Sequence, residues 1–235
     1  MSQEMQYSQQ NTSVLGRTAS VSSAQRVLRN TYMLLSMTLL FSAAMAGISM
    51  AMAVPYGASL ISSLLALGLL WFAVPRTANS GAGIFVVFAV TGLLGFGLGP
   101  ILNHYLSLAN GAQIVMLALG ITGAAFTGLS GYALISRKDF SFMRSFLAVG
   151  VLIAFIAGIV SLVAGLVGYP MPALALTVSA MFAFLMCGMI LWQTGEIVNG
   201  GETNYILATV SLYVAVYNLF TSLLHLLGAF MGERD

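Results

Sequence analysis

Ionisable side chains are so scarce in this chain that each one invites a chemical question. Six acidic residues, eight basic residues and two histidines serve 235 positions. Arg76, Asp139 and Glu196, with Glu202, sit at the ends of long hydrophobic runs. Arg76 pairing with Glu196 or Asp139 would make a gate sensitive to protons or to a competing cation, and the alternative is a set of solvated loop charges. His104 and His225 have no carboxylate beside them in sequence, so no metal site is expected. Gly200-Gly201 lacks the lysine and preceding strand of a phosphate loop. Cys187 reads as a small packing residue and the fourteen methionines as flexible core filling. No nucleophile, base and orienting group stand at a spacing that would serve hydrolysis, so neither an enzyme nor a cofactor is expected.

A second pattern is periodic rather than ionic. Asn204, Ala208, Ser211, Ala215, Asn218, Ser222 and His225 advance by four and three residues alternately, which places them on one side of a helix whose other sides are Leu, Val, Tyr and Phe. An amide facing hydrocarbon is costly, so this seam should face the bundle interior or a hydrated cavity. It reads either as glue between helices, with Asn218 bonding across, or as the lining of a pathway or sensor. Gly92, Gly95, Gly97 and Gly99 lead to Pro100, and Gly120, Gly123, Gly128 and Gly131 follow. These are close-packing surfaces, or else the helix breaks at Gly99 and Pro100 and turns its free backbone groups toward a ligand.

The elements that must position these residues are membrane spans. At 59% hydrophobic and 6% charged, the chain has too little polar surface for a soluble domain. A net charge of +2 is too sparse for a nucleic-acid groove. Runs near residues 31–54, 58–74, 81–108, 112–135, 145–167, 173–192 and 204–230 predict an all-α integral membrane protein, a seven-helix bundle in the lipid bilayer over residues 31–235. Residues 1–30, rich in Ser, Gln, Asn and Thr, predict a disordered tail. A cytoplasmic N-terminus puts Arg17, Arg26, Arg29, Arg76, Arg137, Lys138 and Arg144 inside and only Arg234 outside, which satisfies the positive-inside rule and leaves the C-terminus on the outer side.

Ordered motifs along the chain resemble the Bax inhibitor-1 family and its bacterial YccA-like branch. They are Val27-Leu-Arg-Asn-Thr-Tyr32, Gly97-Leu-Gly-Pro-Ile-Leu-Asn103, Arg137-Lys-Asp-Phe-Ser-Phe142, Gly200-Gly-Glu-Thr-Asn-Tyr205 and Ala208-Thr-Val-Ser-Leu-Tyr213 with Tyr217-Asn-Leu-Phe220. The resemblance implies seven helices with the last at the centre. It implies two activities: a calcium leak gated by protons through two aspartates and an arginine, or regulation of the inner-membrane protease FtsH and its HflK–HflC complex. Where the family carries Leu-Tyr-Asp-Thr-Gln, this chain has Leu191-Trp-Gln-Thr-Gly195, and Leu-Tyr-Leu-Asp becomes Leu212-Tyr-Val-Ala215. Gln193 and Ala215 therefore stand at the aspartate positions, with Glu196 the nearest acidic substitute. The resemblance thus favours a non-enzymatic regulator, inhibitor and candidate substrate of FtsH, over a cation leak or exchanger with an altered gate.

Overall fold

The computed structural model describes the backbone of residues 2–232 and side chains from Ser23 to Gly232. Arg17 and Arg234 lie outside the described side chains, as does most of the tail expected over residues 1–30. Among the described residues seven helices are long and apolar enough to cross a membrane. The first, α1, is the span Ser23–Ala51 of a helix that begins at Ser2. The others are α2 (Tyr56–Thr77), α3 (Ala82–Leu106), α4 (Gly111–Ser136), α5 (Met143–Leu166), α6 (Pro172–Val198) and α7 (Tyr205–Met231). Apolar runs of this length become helices because hydrocarbon offers no partner to a free N–H or C=O. One turn of α2, Leu69–Ala73, is π-helical.

Local chemistry sets the stops. Pro55, extended at φ −69° and ψ 153°, caps the start of α2, and Pro172 opens α6, where its missing N–H costs nothing. Gly168 and Gly200 adopt φ of 89° and 79°, a region open to glycine, just beyond α5 and α6. The sixth helix thereby runs past the expected end at Trp192 and carries Gln193 and Glu196 within it.

The core is organised around α7, the most enclosed of the seven spans. It packs against α1, α3, α4 and α6, and its Leu212, Leu219 and Leu224 each belong to a different buried apolar cluster. By contrast α2 is held mainly through α3, and α5 through α6. The outer face of α5 presents Phe146, Leu152, Ile156 and Leu166 to the lipid.

Of the two readings of Gly99 and Pro100, close packing or a helix break, the break does not occur. Both residues are buried inside an uninterrupted α3. Proline removes one backbone donor, but the helix is gripped on two sides. A methyl added at Gly95 or Gly99 would land on Ser42 or Ser49 of α1, and Gly97 faces Ser59 and Ser62 of α2. The Ser59 and Ser62 hydroxyls donate to the Gly97 and Leu93 carbonyls, and Asn103 Nδ2 donates to the Met50 carbonyl at 3.1 Å. On α4 the close-packing expectation fails, since Gly120, Gly123, Gly128 and Gly131 have open space where a methyl would go.

Candidate functional site: the central helix and the basic end

Each member of the α7 seam takes its role from its depth. Asn204 is the N-cap: its Oδ1 accepts from the Ile206 and Leu207 amides at 2.9 and 3.2 Å. Its Nδ2 reaches the α2–α3 connection, donating to the Ala78 carbonyl at 3.0 Å and to Asn79 Oδ1 at 2.8 Å. Farther in, Ala208 and Ala215 are fully buried and Ser222 nearly so. His225 Nδ1 and Ser179 Oγ share a hydrogen bond of 2.7 Å, joining α7 to α6.

Asn218 departs from the bonding expected of it. Its Nδ2 donates to the Val214 carbonyl one turn back, at 2.8 Å, instead of crossing to a neighbour. The reason is the company it keeps. Asn218 lines a cleft of about 490 Å³ with Ser211 and Ala215, and the facing side chains from α2, α5 and α6 include Leu67, Trp71, Leu152 and Met189. None of these four offers an oxygen acceptor, the Met189 sulfur being only a weak acceptor.

The opposite flank of α7 lines a second, apolar cleft of about 450 Å³ against α1, α3 and α4. At its polar edge Ser42 Oγ and Tyr213 Oη lie 2.6 Å apart, and Tyr213 donates to the Thr91 carbonyl at 3.3 Å. This buried junction of α1, α3 and α7 escaped the sequence reading, although Tyr213 lies inside the quoted motif. A looser junction surrounds Thr194 of α6, whose Oγ1 lies 3.5 Å from Tyr32 Oη and 3.4 Å from Ser130 Oγ.

At Gln193 and Ala215, the two positions the motif resemblance sets against aspartates, the side chains are neutral. Gln193 is 4% exposed and meets no hydrogen-bond partner among the described residues. Ala215 is enclosed with Leu147, Met186 and Ile190.

Of the two readings of the charges at the basic end, a gate or separate loop charges, the gate is not assembled among the described residues. Arg76 is exposed and folds onto its own helix, with Nη1 donating to the Phe72 carbonyl at 2.8 Å and the guanidinium 5.9 Å from the Phe72 ring. No ion pair joins Arg76 to Glu196 or Asp139 among the described residues. The carboxylates have local employment instead. Asp139 accepts from the Ser141 amide at 2.8 Å; that bond, helped by the Ser141 side chain, holds its pKa below the usual carboxylate value. Glu202 Oε1 accepts from the Asn204 amide at 2.8 Å, and the Glu196 side chain lies against Gly201. Asn199 Nδ2 donates to the Lys138 carbonyl at 3.1 Å, so the α6–α7 connection grips both the α2–α3 and the α4–α5 connections.

A polar-seamed central helix enclosed by apolar, lipid-facing neighbours defines a multi-pass membrane protein. Residues 24–232 match the family described as inhibitor of apoptosis-promoting Bax1, and the chain belongs to this Bax inhibitor-1 family, in its YccA-like branch. It is 46% identical over 216 residues to the Escherichia coli K12 protein named modulator of FtsH protease YccA, covering 92% of this chain and 94% of that one. An uncharacterized membrane protein of Vibrio cholerae is 43% identical, covering 96% of this chain and all of the relative. An uncharacterized protein of Pseudomonas aeruginosa is 43% identical with 98% and 99% covered.

Proposed function

We propose that this protein is a non-enzymatic regulator of an FtsH-type ATP-dependent protease in a bacterial inner membrane. The observation that carries the reading is the end-to-end similarity to a relative named as a modulator of that protease. A relative of the same identity is named an inner membrane protein. The site adds support, because Gln193 and Ala215 cannot titrate and Arg76 is bonded to its own helix. The HflK–HflC complex is a partner by the same reading. So is a cytoplasmic N-terminus, whose residues 1–30 would give the protease a handle on the regulator itself. The test is co-reconstitution with FtsH and a membrane substrate. Substrate turnover should slow as the protein is added, and a rate independent of the protein would overturn the proposal.

One feature favours the family's other activity: Ser211 and Asn218 line an opening beside the central helix. A calcium or proton leak through that opening would give a flux in proteoliposomes that Asn218→Leu blocks.

A further inference from the structure

Between α2 and α5 the bundle is open to the bilayer, and the opening exposes part of its own centre. The cleft holds about 490 Å³. Its mouth is framed by Trp71 and Leu152, which are 68% and 57% exposed, and its floor carries the half-buried Ser211 and Asn218 of α7. The wall formed by α2 carries the π-helical turn, Leu69–Ala73, a distortion that recurs where a helix is shaped around a site.

The floor is polar in a place where lipid cannot answer it. Asn218 is the midpoint of α7, so the nearest headgroups lie roughly 15 Å away along the bilayer normal. Its one hydrogen bond uses an amide proton on its own helix; the amide oxygen has no partner among the described residues, and neither has the Ser211 hydroxyl. An acyl chain would fill the volume and satisfy neither group. A transmembrane helix bearing amide or hydroxyl side chains would satisfy both, since side-chain bonding at this depth is how membrane helices associate. The dimensions define how it would sit. A helix about 10 Å across occupies roughly 400 Å³ per turn, so the cleft admits the side chains of one helix face rather than the helix itself.

We propose that the cleft between α2 and α5 is a docking site for a transmembrane helix of a partner membrane protein that carries Asn, Gln, Ser or Thr at mid-membrane depth. Ser211 and Asn218 are two turns apart, about 10.5 Å along the axis. A partner with polar residues seven positions apart therefore engages both. The site is independent of which protein the chain regulates, and its test uses no protease.

The test uses the full chain in phospholipid vesicles, with Trp192→Phe so that Trp71 is the remaining tryptophan. The probes are two dansyl-labelled, lysine-flanked polyleucine helices, one with a central Asn and one without, read by energy transfer from Trp71. The Asn helix should bind roughly three- to twentyfold more tightly. Asn218→Leu should erase that difference, and Ala148→Phe, which narrows the cleft from the α5 side without touching α7, should weaken binding. Equal binding of the two helices, or a preference that survives both variants, would overturn the proposal. So would quenching of Trp71 by brominated acyl chains with no approach of either helix, which would make the cleft a lipid site.

Discussion

Tyr213 illustrates what one hydroxyl does in a bundle with so few polar groups. It accepts from Ser42 and donates to the Thr91 carbonyl, joining three helices at a point that is 1% exposed. Tyr213→Phe keeps the ring and removes the junction, so unfolding from detergent micelles should show a loss of about 1 kcal/mol. A double-mutant cycle with Ser42→Ala assigns the share belonging to that pair. Asp139 gives a prediction in pH. Its folded pKa is depressed, so whatever the Ser141 contact contributes is present above the unfolded carboxylate pKa and is lost as pH falls through the folded value. Protection of the Ser141 amide from hydrogen exchange should fall away at acid pH in the wild type. Asp139→Asn should abolish that pH dependence, and an unchanged profile would deny the contact its role.

At the scale of the helix, identical residue types have opposite meanings. Gly99 is pressed against Ser49 whereas Gly120 faces open space. Gly99→Val should therefore sharply reduce the yield of folded protein, and Gly120→Val should leave it unchanged, as measured by thermal unfolding of the purified chain. Asn204→Ala removes both a helix cap and the clamp on the α2–α3 connection, at a cost of about 1 kcal/mol. Asn204→Asp should recover the capping part, since the carboxylate still accepts from Ile206 and Leu207. Such contrasts also mark how far the sequence could be read. The seam of α7 was legible because polar residues at a helical period stand out in an apolar segment. The bonding of its members was not: Asn204 and Asn218 share that period, but one lies at a helix end beside Ala78 and the other beside a wall of Leu, Trp and Met. Only the assembled neighbours distinguish a cap from a solitary amide. The end of α6 was misplaced because Gln193-Thr-Gly-Glu196 looks like a loop, while the turn that stops the helix is supplied by Gly200. The two clefts follow from which helices fail to meet, and no single segment encodes that.

For the molecule as a whole, the arrangement of charge makes two experiments decisive. With Cys187→Ser to remove the native thiol, Lys138→Cys should react with an impermeant maleimide only from the cytoplasmic side, and Asn110→Cys only from the other; the reverse pattern would invert the proposed orientation. With neutral residues at positions 193 and 215, calcium flux in proteoliposomes should be absent from about pH 5 to 8. A protein-dependent flux altered by Arg76→Ala would revive the leak. The position of α7 carries a consequence for biogenesis. The helix that joins all three apolar clusters is the last of the seven to leave the ribosome, because synthesis runs from the N-terminus. Until it enters the membrane, the first, third, fourth and sixth helices lack a partner that each of them packs against in the finished fold. A nascent chain stalled before Tyr205 thus lacks the one helix with buried members in all three clusters, and its remaining helices have no common partner to close upon.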